Sequence, residues 1–238
     1  MRRPPARKKA PRNRLGTHAA DGIFYDLAGE ILRGELSWDA PLPGERLLGK
    51  RFGVSRIIVR QAVHRLAEVG LVRVRQGGAT LVLDPAEAAD LRVFQLHHQL
   101  GSVTARDARE LTERQLLQGY ATLLLCDVHA SPEQRAALGG IVEAYAGGPD
   151  RELAAFESRF WRAVARAGGN RIYVLENNWW FRLLAERPAA QHPVFGDATA
   201  RVSLYREIVR RLIEREDAPR FFLTIVEPLI RTLARPPG

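Results

Sequence analysis

The sequence predicts a mainly α protein: an N-terminal winged helix-turn-helix followed by a C-terminal all-α bundle of six or seven helices. Three observations predict this. Apolar residues recur at helical spacing through most of the chain. The one β-prone stretch, LVRVR and TLVL around a glycine turn, comes directly after two short helical segments. Beyond Leu83 helical segments succeed one another, separated by glycine and proline punctuation. Helix, turn, helix and hairpin in that order is a winged helix-turn-helix, whose best-known use is to set one helix in the DNA major groove.

A chain of 238 residues has room for a small domain and a medium one. Its formal charge of +9 points to a polyanionic partner. The single cysteine, Cys126, sits inside the apolar run ATLLLCDV, which excludes a disulfide framework and a thiolate zinc site. No apolar run approaches the roughly 18 residues of a membrane-spanning helix. The basic N-terminus is followed by no apolar signal segment, so the expected location is the cytoplasm. Residues 1–20 are proline-rich, carry seven Arg or Lys before residue 15 and no acid. They are expected to form a disordered basic arm suited to phosphate backbones.

The expected first domain spans 21–83. Ile23, Leu27 and Ile31, with Phe24, make one apolar face; Asp21 is the expected cap and Gly34 the expected stop. Pro41 and Pro43 frame a turn before a helix in which Leu47 and Leu48 are expected to face inward. Gly53 makes the next turn and Ser55 caps the following helix. Val59, Ala62, Val63, Leu66 and Val69 form its buried stripe, leaving Arg56, Arg60, Gln61 and His64 on the other face. This is the expected recognition helix. Arg73, Arg75 and a tip at Gln76-Gly77-Gly78-Ala79 make the wing.

Residues 23–83 resemble the DNA-binding domain of the GntR family of bacterial transcription regulators. The resemblance rests on Leu42, Pro43, Glu45, Arg46, Gly53, Val54, Ser55, Arg56, Val59, Arg60, Leu66, Gly70, Leu71, Gly77 and Thr80. It implies that Arg46, Ser55, Arg56 and Arg60 contact DNA and that Gln76 and Gly77 reach the minor groove. Ile57 and Ile58 depart from the small or polar residues usual there. Either could touch a thymine methyl or pack against the protein.

The expected second domain, 84–238, starts with a connecting helix over 85–99 and a long helix over 104–128. The apolar side of the long helix is read as Leu111, Leu116, Tyr120, Leu124 and Leu125. Ser131-Pro132-Glu133-Gln134 is a capping box, and further helices are expected near 150–167, 171–185, 198–215 and 219–233. The stretch FESRFWRAVARAGGNRIYVLENN resembles the effector domain of the FadR-type branch of the same family. That resemblance implies a homodimer and a small acidic effector, such as an acyl-CoA or an organic acid. Many members of the branch hold a divalent metal through Asp-x-x-x-His, but here those positions are Glu157 and Trp161. After residue 129 the sole histidine is His192, so no metal and no other cofactor is expected. Candidate effector residues are Arg114, Tyr120, Glu157, Trp161 and Asn177.

The expected function is therefore that of a regulator binding a pseudo-palindromic operator under effector control. No nucleophile and base at motif spacing, phosphate loop or Schiff-base lysine suggests an enzyme. Alternatives are a sequence-indifferent, nucleoid-type DNA-binding protein and a metal-dependent sensor of organic acids.

Overall fold

Apolar residues at helical spacing place most of the chain in helices, and the computed structural model describes residues 12–75, 77–101, 103–146, 148–149, 152–186 and 197–233. Contacts divide the chain into two units, 1–102 and 103–238. The first contains α1 (Arg12–Leu32), α2 (Glu45–Phe52), α3 (Arg56–Glu68), β1 (Val72–Arg73), β2 (Leu81–Val82) and α4 (Arg92–Gln99). The second contains α5 (Ala105–His129), α6 (Pro132–Tyr145), α7 (Leu153–Ala167), α8 (Arg171–Glu186), α9 (Ala198–Glu214) and α10 (Ala218–Leu233).

In the first unit Leu27, Ile31, Leu48, Val59, Ala62, Leu66 and Leu71 form the centre of the core. Helix α1 packs on α3 and α4, and α2 packs on α3. The α2–α3 turn depends on two glycines. Gly53 adopts φ +66, a left-handed conformation costly for other residues. A Cβ at Gly49 would stand 3.0 Å from the Val54 carbonyl oxygen, a tight contact that the turn backbone would have to relieve by a few tenths of an ångström. Antiparallel β1 and β2 pair Val72 with Val82 and Arg73 with Leu81. The segment before α2 adds a third edge: Leu42 N–H donates to the Thr80 carbonyl at 2.7 Å, and Val82 N–H to that of Ala40 at 2.9 Å.

Several expectations change here. Among the described residues the first helix runs over Arg12–Leu32, so residues 12–20, expected in the disordered arm, are helical, and Asp21 lies inside the helix and pairs with Arg65 of α3 instead of capping; residues 1–11 lie outside the described residues. Leu47, expected inside, is 61% exposed, because an eight-residue helix whose buried residues are Leu48 and Gly49 covers only one narrow face. The expected helix over 85–99 is a single 3-10 turn at Pro85–Glu87 and then α4. The expected boundary at 83/84 falls at 102/103, because Val93 and Leu96 of α4 are buried in the first core.

The second unit packs α10 and α7 on α5, α6 on α7 and α9, and α8 on α7. Reciprocal capping boxes start α5 (Thr104 with Asp107) and α6 (Ser131 with Gln134). Rings fill its centre. Tyr145 stacks on Phe156 at 4.5 Å between centroids, and Tyr205 meets Phe156 edge-on at 5.3 Å. The buried side of α5 is Leu116, Gly119, Thr122, Leu123 and Cys126, while Leu124, read as apolar-side, is exposed. Burial pushes the Cys126 thiol up to about 11, which leaves it protonated and inert.

Phe156 is fully buried between Tyr145, Phe160 and Tyr205. Phe156→Ala should lower stability by about 3–5 kcal/mol, read as the shift in urea unfolding followed by circular dichroism. An unchanged midpoint would show that this ring stack does not hold the second unit together.

Candidate functional site

Helix α3 has two sharply different sides. Val59, Ala62 and Leu66 are fully buried, while Arg56, Ile57, Arg60, Gln61 and His64 are exposed. The buried stripe fixes the rotation of the helix about its own axis, so the first turn must present Ser55, Arg56 and Ile57 outward. Ile57 is 70% exposed. Ile58, one residue on, packs against the core, so the Ile57-Ile58 pair is split between solvent and interior. Ser55 has the extended backbone of a cap, but its hydroxyl makes no capping bond and is left open to solvent.

The first unit sorts its cations into paired and unpaired sets. Arg51 pairs with Glu30 and Arg65 with Asp21, tying α2 and α3 to α1. Arg60 makes a bidentate bond to Glu45, with Nε–Oε1 at 2.7 Å and Nη2–Oε2 at 2.8 Å, joining α3 to the first turn of α2. That hydrogen bond holds the Glu45 carboxyl below its ordinary range. The pair is therefore intact at neutral pH and is lost only on acidification through that lowered value. Arg46 and Arg56 on the helices, and Arg73 and Arg75 on the wing, have no carboxylate partner among the described residues. Gly77 is exposed at the wing tip with φ +71, and Gln76 lies outside the described residues. Sequence reasoning missed the role of Glu45 as the partner of Arg60, since pairs across different helices leave no spacing signal.

The five candidate effector residues do not converge. Arg114 bonds Gln118 at 2.7 Å and Glu176 at 2.9 Å and lies over the Trp179 ring, all at the α5–α8 contact. Asn177, buried on α8, donates to the Tyr173 carbonyl one turn back. Tyr120 packs against the core. Glu157 and Trp161 stand instead between α7 and α9. Both Glu157 oxygens accept from Arg201 Nη1, at 2.9 and 3.0 Å, and Oε1 accepts from the Tyr205 hydroxyl at 2.8 Å. The Trp161 ring nitrogen donates to that hydroxyl at 3.3 Å. Burial, and then the charge of Glu157, push the Tyr205 hydroxyl well above the usual phenol range, so it remains a donor.

The residues at the positions where the resemblance would place metal ligands therefore do not fit a metal ion. Glu157 is already neutralised by a guanidinium, and Trp161 offers no lone pair. Among the described residues no three His, Cys, Asp or Glu side chains come together as a ligand set, and His192 lies outside those residues. Among them, too, no helix is long and apolar enough to cross a membrane.

A helix backed by a packed stripe, exposing unpaired arginines beside a two-stranded wing, defines a winged helix-turn-helix of the kind that reads duplex nucleic acid. Residues 19–82 match the family described as bacterial regulatory proteins, gntR family. The chain is 38% identical over 95 residues to the HTH-type transcriptional regulator Mce2R of Mycobacterium tuberculosis (strain CDC 1551 / Oshkosh), a stretch covering 40% of each protein. The chain thus spans about 40% of the length of the first curated relatives it matches. It is also 29% identical over 206 residues to the uncharacterized HTH-type transcriptional regulator YieP of Escherichia coli (strain K12), covering 82% of this chain and 86% of that one. In fold it is similar to Lar, which controls expression of the Listeria monocytogenes agr system, with a TM-score of 0.50 at 17% identity over 96% of this chain and 98% of that one. The family and these relatives are transcriptional regulators, not enzymes.

Replacing Glu45 by Gln releases Arg60 and adds one positive charge to the face it shares with Arg56. The expected result is a steeper fall of DNA affinity with salt, by about 0.9 in log–log slope for one added phosphate contact. A fluorescence-anisotropy salt titration that gives the wild-type slope would show that Arg60 is not restrained by its partner.

Proposed function

We propose that this protein is a sequence-specific transcriptional regulator of the FadR-type branch. It acts in the cytoplasm as a homodimer on a pseudo-palindromic operator, under control of a small acidic effector held by the second unit. The observation that carries the reading is the unpaired, outward-facing arginine at the start of α3. Arg56 forms no ion pair among the described residues, and only its charge is felt by the nearby Glu45 carboxyl. A guanidinium in that position can meet guanine O6 and N7 in a bidentate pair worth about 1–3 kcal/mol of discrimination. Arg46, Arg60 and Ser55 supply further contacts, Ile57 supplies an apolar surface for a thymine methyl, and Gln76 with Gly77 enters the minor groove. Ile58 leaves the contact set because it packs inward.

Dimer formation is supported by apolar residues left exposed on two helices that both pack on α7. Leu117, Leu124 and Val128 share one side of α5, and Ile172 and Leu175 share one side of α8; the exposed fractions run from 41% to 64%. Arg114 of α5 forms an ion pair with Glu176 of α8. Rows of large apolar side chains in water mark an association surface. A two-fold dimer would set two recognition helices about 34–36 Å apart, one turn of duplex.

Selection from random duplexes followed by footprinting should return a two-fold symmetric site. Arg56→Ala should remove binding to that site while leaving the thermal midpoint unchanged. Equal affinity for every duplex would identify a sequence-indifferent DNA-binding protein instead. Leu117→Asp together with Leu175→Asp should give the monomer mass in sedimentation velocity, and a retained dimer would place the subunit contact elsewhere.

A further inference from the structure

The second unit contains an open groove of about 420 Å³ between α6 and α7. Its floor is aliphatic, with Leu138 and Ile141 from α6 and Ala163 from α7, and its wall carries Arg159, Arg162 and Arg166 of α7. Spacing of three and four residues puts the three arginines on one side of the helix. Elsewhere in this unit arginines are commonly matched. Arg106 pairs with Glu110, Arg206 with Glu143, Arg210 and Arg211 with Glu207, and Arg231 with Glu227. The three groove arginines have no carboxylate partner among the described residues. The Nε of Arg162 is also buried with no hydrogen-bond partner among them. A buried guanidinium N–H without an acceptor is costly, and an anionic oxygen is the acceptor that best offsets that cost.

We propose that the α6–α7 groove is a binding site for a small amphipathic anion. Its carboxylate or phosphate head is held by Arg159, Arg162 and Arg166, and its aliphatic body lies on Leu138, Ile141 and Ala163. This rests on the reading of the second unit as the effector-binding part, and it moves the acidic head away from Glu157 and Arg114, whose charges are already paired. The volume lies in the range of small-molecule sites, about 300–1,000 Å³. Three unopposed cations above an aliphatic floor suit a ligand with one charged end and one apolar end. A neutral lipid would leave the guanidinium groups unmatched, and inorganic phosphate would leave the floor wet.

The test uses the full chain in calorimetric titration with octanoate, octyl phosphate, octan-1-ol and inorganic phosphate. Octanoate or octyl phosphate should bind at least tenfold more tightly than octan-1-ol or phosphate, and the preference between the two distinguishes a carboxylate ligand from a phosphate one. Arg162→Gln should weaken binding at least tenfold, as should Arg159→Gln combined with Arg166→Gln, whose exposed side chains can change without disturbing the fold. Arg206→Gln, outside the groove, should bind as wild type. Equal binding by wild type and both groove variants would overturn the site while leaving an effector unit with its ligand elsewhere. No binding of either amphipathic anion would overturn it too. Loss of the dimer in the Arg162→Gln variant, with anion binding intact, would make the groove a subunit contact and also overturn it. Operator binding measured on the same samples reports separately on the regulator reading.

Discussion

The burial of one side of α3 is the constraint on which the rest of the first unit depends. Val59, Ala62 and Leu66 are wholly excluded from water, packed on α1 and α2, and this leaves the helix a single rotational setting. With that setting, Arg56 and Ile57 must face solvent and Ile58 must not. The ion pairs of Arg51 and Arg65 with acids of α1 add to the same result from the outside. They tie the cations that are structural and leave unpaired those at the start of α3 and along the wing. The bidentate Glu45–Arg60 bond occupies an intermediate place: it orients Arg60 while drawing part of its charge away from a phosphate backbone.

The second unit solves a different electrostatic problem. Glu157 lies nearly buried in a shell of rings, where an uncompensated carboxylate would be expensive. Arg201 and the Tyr205 hydroxyl compensate it, and the Trp161 ring nitrogen in turn satisfies the tyrosine oxygen. The position where the FadR-type resemblance implied a metal ligand is here closed by a guanidinium. The same unit leaves three arginines of α7 unmatched above an aliphatic floor. That contrast, matched charge between α7 and α9 and unmatched charge along a groove, is what supports the proposed anion site.

Much of the fold is legible in the order of the residues. The α3 stripe at three- and four-residue spacing and the Ser131 capping box are local patterns, and each appears in the structure with the residues expected. Six helices among the described residues of the second unit fall within the expected range. Less legible are the features set by neighbours distant in sequence. Leu47 and Leu124 carry the right residue type and spacing for the interior, yet both are exposed because none of the described residues covers that side of α2 or α5. Helix α4 reads as the start of the second domain, but Val93 and Leu96 find their apolar partners in the first core. Of the expected effector residues, Arg114 and Glu157 are taken up by ion pairs between helices.

The amino-acid sequence by itself determined the winged helix-turn-helix, its cationic face and the all-helical character of the second unit. These depend on periodicity, capping and turn chemistry, which act over a few residues and are written in order along the chain. Tertiary structure alone decided which arginines are ion-paired among the described residues, and which of Ile57 and Ile58 reaches solvent. Those outcomes depend on which charge or apolar surface meets which across the fold. Pairings such as Glu45 with Arg60 and Glu157 with Arg201 join residues many turns of helix apart, and no local spacing announces them.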